Sequence, residues 1–211
     1  MPQYRAAVIG HTGHGNYGHG LDTVYTSLDN VDIVAVADAD ADGLASAGER
    51  LAVSAEAQYA DYREMLDRES VDIVSVSPRW VGERVEMVSA AARSGARAIY
   101  CEKSFAQTPA QADAMLSACE GNGVTIAVAH QNRFHPHIVK MGEMIDAGEI
   151  GEIREVHGYG KCDHRGGGED LVVLGTHIFD LMRRFCGDPR WVEAGVLVDG
   201  RDARQGDARD G

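Results

Sequence analysis

"AAVIGHTGHGNYGHGLD", residues 6–22, runs from an apolar stretch into a loop that interleaves five glycines with three histidines. Two chemistries compete for such a loop. A metal site needs donors that converge, and His11, His14 and His19 bring no acidic or cysteine partner with them. A short histidine-rich tract is only a compositional signal for metal. The glycines carry more information. Gly13, Gly15 and Gly18, with Asn16 and Tyr17 before the last of them, satisfy G-x-G-x-x-G between a strand over "YRAAVIG" and a helix expected from "GHGLDTVYTSL". In such a turn glycine permits tight backbone geometry. It also lets a pyrophosphate approach the free N–H groups of the helix N-terminus. Gly10 ends the strand ahead of this match, so the loop is longer than usual, and which glycine does which job stays open. The loop is read as nucleotide-binding with no metal, and its histidines as incidental.

The next strand, "VDIVAVADAD", offers an independent check, because it ends in Asp38, twenty residues after Gly18. A carboxylate there can accept both adenosine ribose hydroxyls and repel a 2′-phosphate. No arginine follows at once, so NAD is favoured over NADP; otherwise Asp38 simply starts a turn. Beyond it the rhythm persists. "DGLASAGERLAV" and "DYREMLDRE" read as helices, "VDIVSVS" as a strand, "ERVEMVSAAARSG" as a helix and "ARAIYCEK" as a strand. "TPAQADAMLSACEGNG" is a helix opened by Thr108 and Pro109, and "VTIAVAH" a further strand. Continuously apolar strands separated by amphipathic helices mark a parallel sheet covered on both faces. The expectation is a doubly wound α/β domain over residues 1–130.

Residues 131–211 change character. A helix in "QNRFHPHIVKMGEMIDAGEIGE" precedes "IREVHGYGK", which alternates like a half-exposed strand. The loop "CDHRGGGED", the helix "LVVLGTHIFDLMRRFCG" and a strand in "WVEAGVLVDG" follow. This reads as the start of an α+β substrate domain that stops in the polar "RDARQGDARDG", as expected of a C-terminally shortened chain. A strand edge left open invites pairing with another chain.

Composition narrows the function classes. A net charge of -13 over 211 residues argues against a nucleic-acid partner, which calls for a basic face. No run approaches the roughly 18 apolar residues of a membrane span. Cys101, Cys119, Cys162 and Cys186 are widely spaced without a CxxC pair, as expected of reduced thiols in a cytoplasmic protein.

"YCEKSFAQTPAQAD", together with the glycine loop, "VAVADAD", "VDIVSVSPRW", "AHQNRFHP" and "GTHIFDL", resembles the glucose-fructose oxidoreductase / inositol dehydrogenase / MocA family, in the expected order along nearly the whole chain. The resemblance implies a Rossmann-type nucleotide domain and a second domain whose sheet shapes the substrate site and joins subunits into a dimer or tetramer. It implies hydride transfer between NAD(P) and a hydroxyl or keto carbon of a sugar, cyclitol or related polyol. Lys103 matches the family's E-K-P lysine, at a strand end where α/β sheets place ligands. There it would hydrogen-bond the reacting hydroxyl or act as general acid/base. Glu102 orients the strand end or contacts the nicotinamide ribose. Ser77, Pro78 and Arg79 match a nucleotide-contacting Ser/Thr-Pro, and Trp80 packs over the cofactor or caps the core.

His177 matches the catalytic histidine, and Asp180 shares its helix face and could orient the ring. His130, Asn132 and Arg133 address substrate or tie the domains together, and Asp163 lies in a polar substrate loop. Two positions depart from the family. Ser104 stands where it has proline, often after a cis peptide, a form that costs serine about 2 kcal/mol more than proline. Val173 stands where dehydrogenases of the family carry aspartate, so Asp180, Asp170 or Glu169 would have to substitute. Two rival readings follow: a relative holding NAD tightly for transient redox, as in glycoside cleavage or isomerisation, and a non-catalytic nucleotide-binding homologue.

Overall fold

The computed structural model describes residues 3–160, 173–198, 200–204 and 207. The chain divides into two compact units, Met1–Ala129 and His130–Gly211.

The first unit is built on six parallel strands: β1 (Tyr4–Ile9), β2 (Val31–Ala37), β3 (Gln58–Tyr59), β4 (Ile73–Val76), β5 (Ala98–Cys101) and β6 (Thr125–Val128). Their order across the sheet is β3-β2-β1-β4-β5-β6, the doubly wound arrangement the apolar runs predict. The two-residue β3 escapes a pattern reading, because so short a run has no period. α1 (Ala41–Leu51), α2 (Tyr62–Arg68), α3 (Arg84–Arg93) and α4 (Pro109–Gly121) connect the strands. Thr108 caps α4 as its sequence suggests, with its hydroxyl accepting from the Gln111 amide and Pro109 in the first turn.

Alternation along β1 explains why both faces are apolar. Ala7 and Ile9 join Val74, Val76 and Ile99 in a cluster with Met87, Val88 and Ala91 of α3 and Met115 and Cys119 of α4. Val8 points the other way and packs with Val36 and with Ala47 and Leu51 of α1. Ser75 is the buried polar exception: its hydroxyl donates to the Leu21 carbonyl and pairs with the Tyr25 hydroxyl at 2.8 Å.

The helix expected after the glycine loop is not there. A single 3-10 turn, Val24–Ser27, interrupts a connection otherwise made of turns. The cause is local. Gly13, Gly15, Asn16, Gly18 and Gly20 all take positive φ, and the remaining run before β2 is rich in β-branched Thr23, Val24 and Thr26.

In the second unit, a 3-10 turn (Gln131–Phe134) leads into α5 (Pro136–Asp146), and α6 spans Gly175–Cys186. The strand expected over "IREVHGYGK" does not form across 153–160, where no ladder partner exists among the described residues. The strand expected in "WVEAGVLVDG" shrinks to Leu197–Val198 (β7), paired antiparallel with Arg201–Asp202 (β8). A half-exposed alternating run becomes a strand only when another supplies its hydrogen bonds. No helix among the described residues is long and apolar enough to cross a membrane.

Candidate cofactor-binding and catalytic site

β1 lies between β2 and β4, whose connections run to opposite sides of the sheet. The crevice beyond their carboxyl ends is where open α/β sheets bind ligands. Gly10, Asp38, Ser77 and Glu102 follow the ends of β1, β2, β4 and β5 respectively, so the expected cofactor residues share one edge.

The loop after β1 is shaped by close approaches that glycine alone permits. At Gly15 a side chain would overlap the backbone of Arg79 and Trp80, and the Arg79 amide donates to the Gly15 carbonyl at 3.1 Å. At Gly18 it would overlap the Glu102 carboxylate and the Ser77 carbonyl. Gly13 differs: a Cβ there would meet nothing within 4 Å, so its exposed backbone faces open space. Asn16 folds back, its side-chain oxygen accepting from the Gly13 amide at 3.0 Å. Tyr17 lies flat against Gly10, with the Arg50 guanidinium 5.0 Å from its ring centroid. Burial, then the adjacent Asp38 carboxylate, hold the Tyr17 phenol well above its ordinary range.

The histidines are not incidental to this architecture. His19 brings its backbone amide (3.0 Å) and ring Nδ1 (3.1 Å) to Glu102 Oε2. His11 sits 3.3 Å from Glu83 Oε2 and stacks on His14, whose ring meets Trp80 edge-on. They fasten the loop to α3 and β5. Among the described residues no group of three or more His, Cys, Asp or Glu could hold a metal ion.

A cavity of about 300 Å³ opens beside the loop, lined by Gly10, His11, Asp38, Asp61 and Tyr62 among others. The Tyr62 hydroxyl and the Ser77 hydroxyl are buried without a hydrogen-bond partner among the described residues. Tyr62 lines this cavity, where an unpaired buried donor suits a polar ligand; Ser77 lies outside its lining. The cavity and the open space beside Gly13 suit an adenosine joined to a pyrophosphate. Trp80 is 48% exposed and Arg79 is exposed, so neither caps the core.

Glu102 and Lys103 are buried, and the Lys103 amide donates to Glu102 Oε1 at 2.9 Å. The Lys103–Ser104 peptide is cis. Sequence reasoning missed Arg84, which holds this turn. Its guanidinium is 1% exposed and donates to the carbonyls of Glu102 (2.6 Å), Ser104 and Pro78. Burial lowers its pKa from the ordinary arginine value. One side chain thus pins the backbone on both sides of Lys103 and ties it to the segment after β4. An arginine at the start of "RVEMVSAAAR" looks like a solvent-facing residue, and no spacing signals otherwise.

The second unit gathers four of its expected site residues. The His130 and His177 rings meet edge to face, with centroids 5.6 Å apart. Arg133 Nε lies 3.3 Å from Asp180 Oδ2, so the carboxylate on the His177 face of α6 is paired with an arginine. Asn132 is exposed on the same short turn as Arg133. Asp163, with Asp170 and Glu169, lies outside the described residues.

Comparison with known proteins agrees with the fold of the first unit. The family model described as an oxidoreductase family with an NAD-binding Rossmann fold (GFO_IDH_MocA) matches residues 4–130. A D-apiose dehydrogenase of Paraburkholderia graminis is 32% identical over 202 residues, covering 89% of this chain and 51% of that protein. The inositol 2-dehydrogenase of Salmonella typhimurium is 28% identical over 139 residues, covering 65% and 40%. The crystal structure of myo-inositol 2-dehydrogenase from Lactobacillus plantarum superposes with a TM-score of 0.73 at 25% identity, covering 88% of this chain and 57% of that one. The chain spans about half the length of the curated relatives it matches. The nucleotide-site geometry of its first unit and a family model matching well over half its length make one conclusion: this chain belongs to the Gfo/Idh/MocA oxidoreductase family.

Proposed function

We propose that this chain binds NAD in preference to NADP and serves an enzyme that moves hydride between nicotinamide and a CH–OH carbon of a sugar, cyclitol or related polyol. The observation that carries the cofactor choice is Asp38, a carboxylate beyond the end of β2 that lines the cavity beside Gly10. It accepts ribose hydroxyls and repels a 2′-phosphate. Gly13 is exposed with open space beside it, room that a pyrophosphate can use. With no helix starting at the loop, single amides rather than a helix dipole do the phosphate work. In this reading Ser77 and Glu102, both buried beyond strand ends, meet the nicotinamide half. Bound nicotinamide supplies the hydride acceptor or donor.

Lys103 of the first unit hydrogen-bonds the reacting oxygen and holds its proton, clamped on both sides by Arg84. In the second unit His177, against the His130 ring, is the other proton-handling group, and the Arg133–Asp180 pair fixes its surroundings. The substrate class follows the names of the D-apiose and inositol dehydrogenases. A dimer or tetramer is the assembly the family resemblance implies, tested by sedimentation. The cofactor reading is tested by titrating the chain with NAD and NADP while following fluorescence and thermal stability. Saturable, NAD-preferring stabilisation is expected, and no response from the folded chain overturns the reading. A polyol panel with Lys103→Ala as control then tests the chemistry.

A further inference from the structure

Asp38 lines the cavity, yet only 1% of its surface is exposed. Thr12 covers it. The Thr12 amide donates to both carboxylate oxygens, at 3.0 and 3.1 Å, and the Thr12 hydroxyl donates to Oδ2 at 2.7 Å. The Asp40 amide donates to Oδ1 at 3.0 Å. Behind the hydroxyl lies Gly43 in the first turn of α1, where any Cβ would overlap Thr12 Oγ1. A carboxylate offers about four acceptor sites, and three donors, with the Thr12 amide shared between both oxygens, occupy most of them. A ribose diol asks the same two oxygens for room for two more O–H donors.

We infer that Thr12 is a latch on the nucleotide site: its hydroxyl occupies the position on Asp38 that a ribose hydroxyl takes, and binding exchanges one for the other. The inference rests on the NAD reading above. The backbone sets the Thr12 amide, so only the Oγ1–Oδ2 bond has to open, by rotation of one side-chain torsion. Each ribose bond to Oδ2 then replaces an internal charge-assisted bond of the same kind, so the net gain is smaller than an open carboxylate would give. The latch also sharpens selection. A nucleotide esterified with phosphate at its 2′ position has no hydroxyl there to offer in exchange, and meets the carboxylate's charge besides. Thr12 therefore sets affinity for the ribose without touching the base or the pyrophosphate.

The test is calorimetric titration of the full chain, Thr12→Val and Thr12→Ser with NAD, ADP and 2′-deoxy-ADP, with thermal melts to show that each is folded. Thr12→Val keeps shape and amide but loses the hydroxyl, and is expected to bind NAD and ADP about tenfold more tightly, the equivalent of one modest hydrogen bond. The gain should shrink for 2′-deoxy-ADP, and Thr12→Ser should keep the weaker parental affinity. Unchanged or weaker NAD binding by folded Thr12→Val, beside saturable binding by the parent, overturns the latch and leaves the NAD reading standing. No saturable binding by the folded parent overturns both. Should Thr12→Val not fold, Thr12→Ala carries the same expectation and the same refutation.

Discussion

Replacing Arg84 by methionine keeps most of the apolar stem and deletes the guanidinium. Three carbonyls, those of Pro78, Glu102 and Ser104, then lose a donor in a region where Arg84 is 1% exposed and Glu102 fully buried. A buried acceptor left unsatisfied costs about 1–3 kcal/mol. Water entering the vacated space recovers part of that, so the net loss is about 3 kcal/mol, a large share of the ~5–15 kcal/mol that holds a typical domain together. With a urea slope of about 2 kcal/mol/M, the unfolding midpoint falls by about 1.5 M. Arg84→Lys should fall in between, because one ammonium cannot span three carbonyls in the plane of a guanidinium fork. The assay is urea unfolding followed by far-ultraviolet circular dichroism, with NAD titration of the folded variant alongside. A midpoint within about 0.3 M of the parent, corresponding to well under 1 kcal/mol, would refute the clamp.

Three further outcomes follow from the same geometry. Gly18→Ala places a methyl group on the Glu102 carboxylate and the Ser77 carbonyl at φ +61°, and should cost about 2 kcal/mol or more in unfolding assays while weakening nucleotide binding; parental stability would contradict the close approach. Burial pushes the Cys101 thiol up to about 12, so iodoacetamide at pH 8 should label exposed Cys186 in the native chain and reach Cys101 and Cys119 only after unfolding, as read by peptide mass spectrometry. Burial also pushes the Tyr25 phenol up to about 12, so folding favours its neutral form. That stability is intact below about pH 10 and lost as pH rises towards 12, up to about 2–3 kcal/mol from Tyr25 alone. A flat stability profile from pH 9 to 12 would disprove it.

The sheet was legible because β1, β2, β4 and β5 carry apolar runs and, from β2 onward, alternate with helices, a pattern with few other solutions even though no helix joins β1 to β2. The place of the Gly-x-Gly-x-x-Gly loop and of Asp38, just beyond the ends of β1 and β2, was legible from spacing along the chain. The missing helix after the loop was not, because a glycine-rich run and a few β-branched residues decide between helix and turns by margins that a pattern does not weigh. Arg84 and Thr12 were invisible on different grounds. Their partners are a carbonyl 18 residues away and a carboxylate 26 residues away, and neither spacing repeats or names a chemistry. In the second unit the expected strand near the end of the chain is cut to Leu197–Val198, because alternation along a run does not say how much of it a neighbour will pair with.

The glycine loop takes its shape from residues that follow it at long range: Asp38 at a separation of 26, Arg79 beyond β4, and Glu102 at a separation of 83. During synthesis it emerges ahead of these partners and stays without most of its long-range fastenings until β5 has left the ribosome. Half a domain would therefore have strands and helices but no nucleotide site. The segment that reads most plainly as a local motif thus depends for its form on sequence far beyond itself.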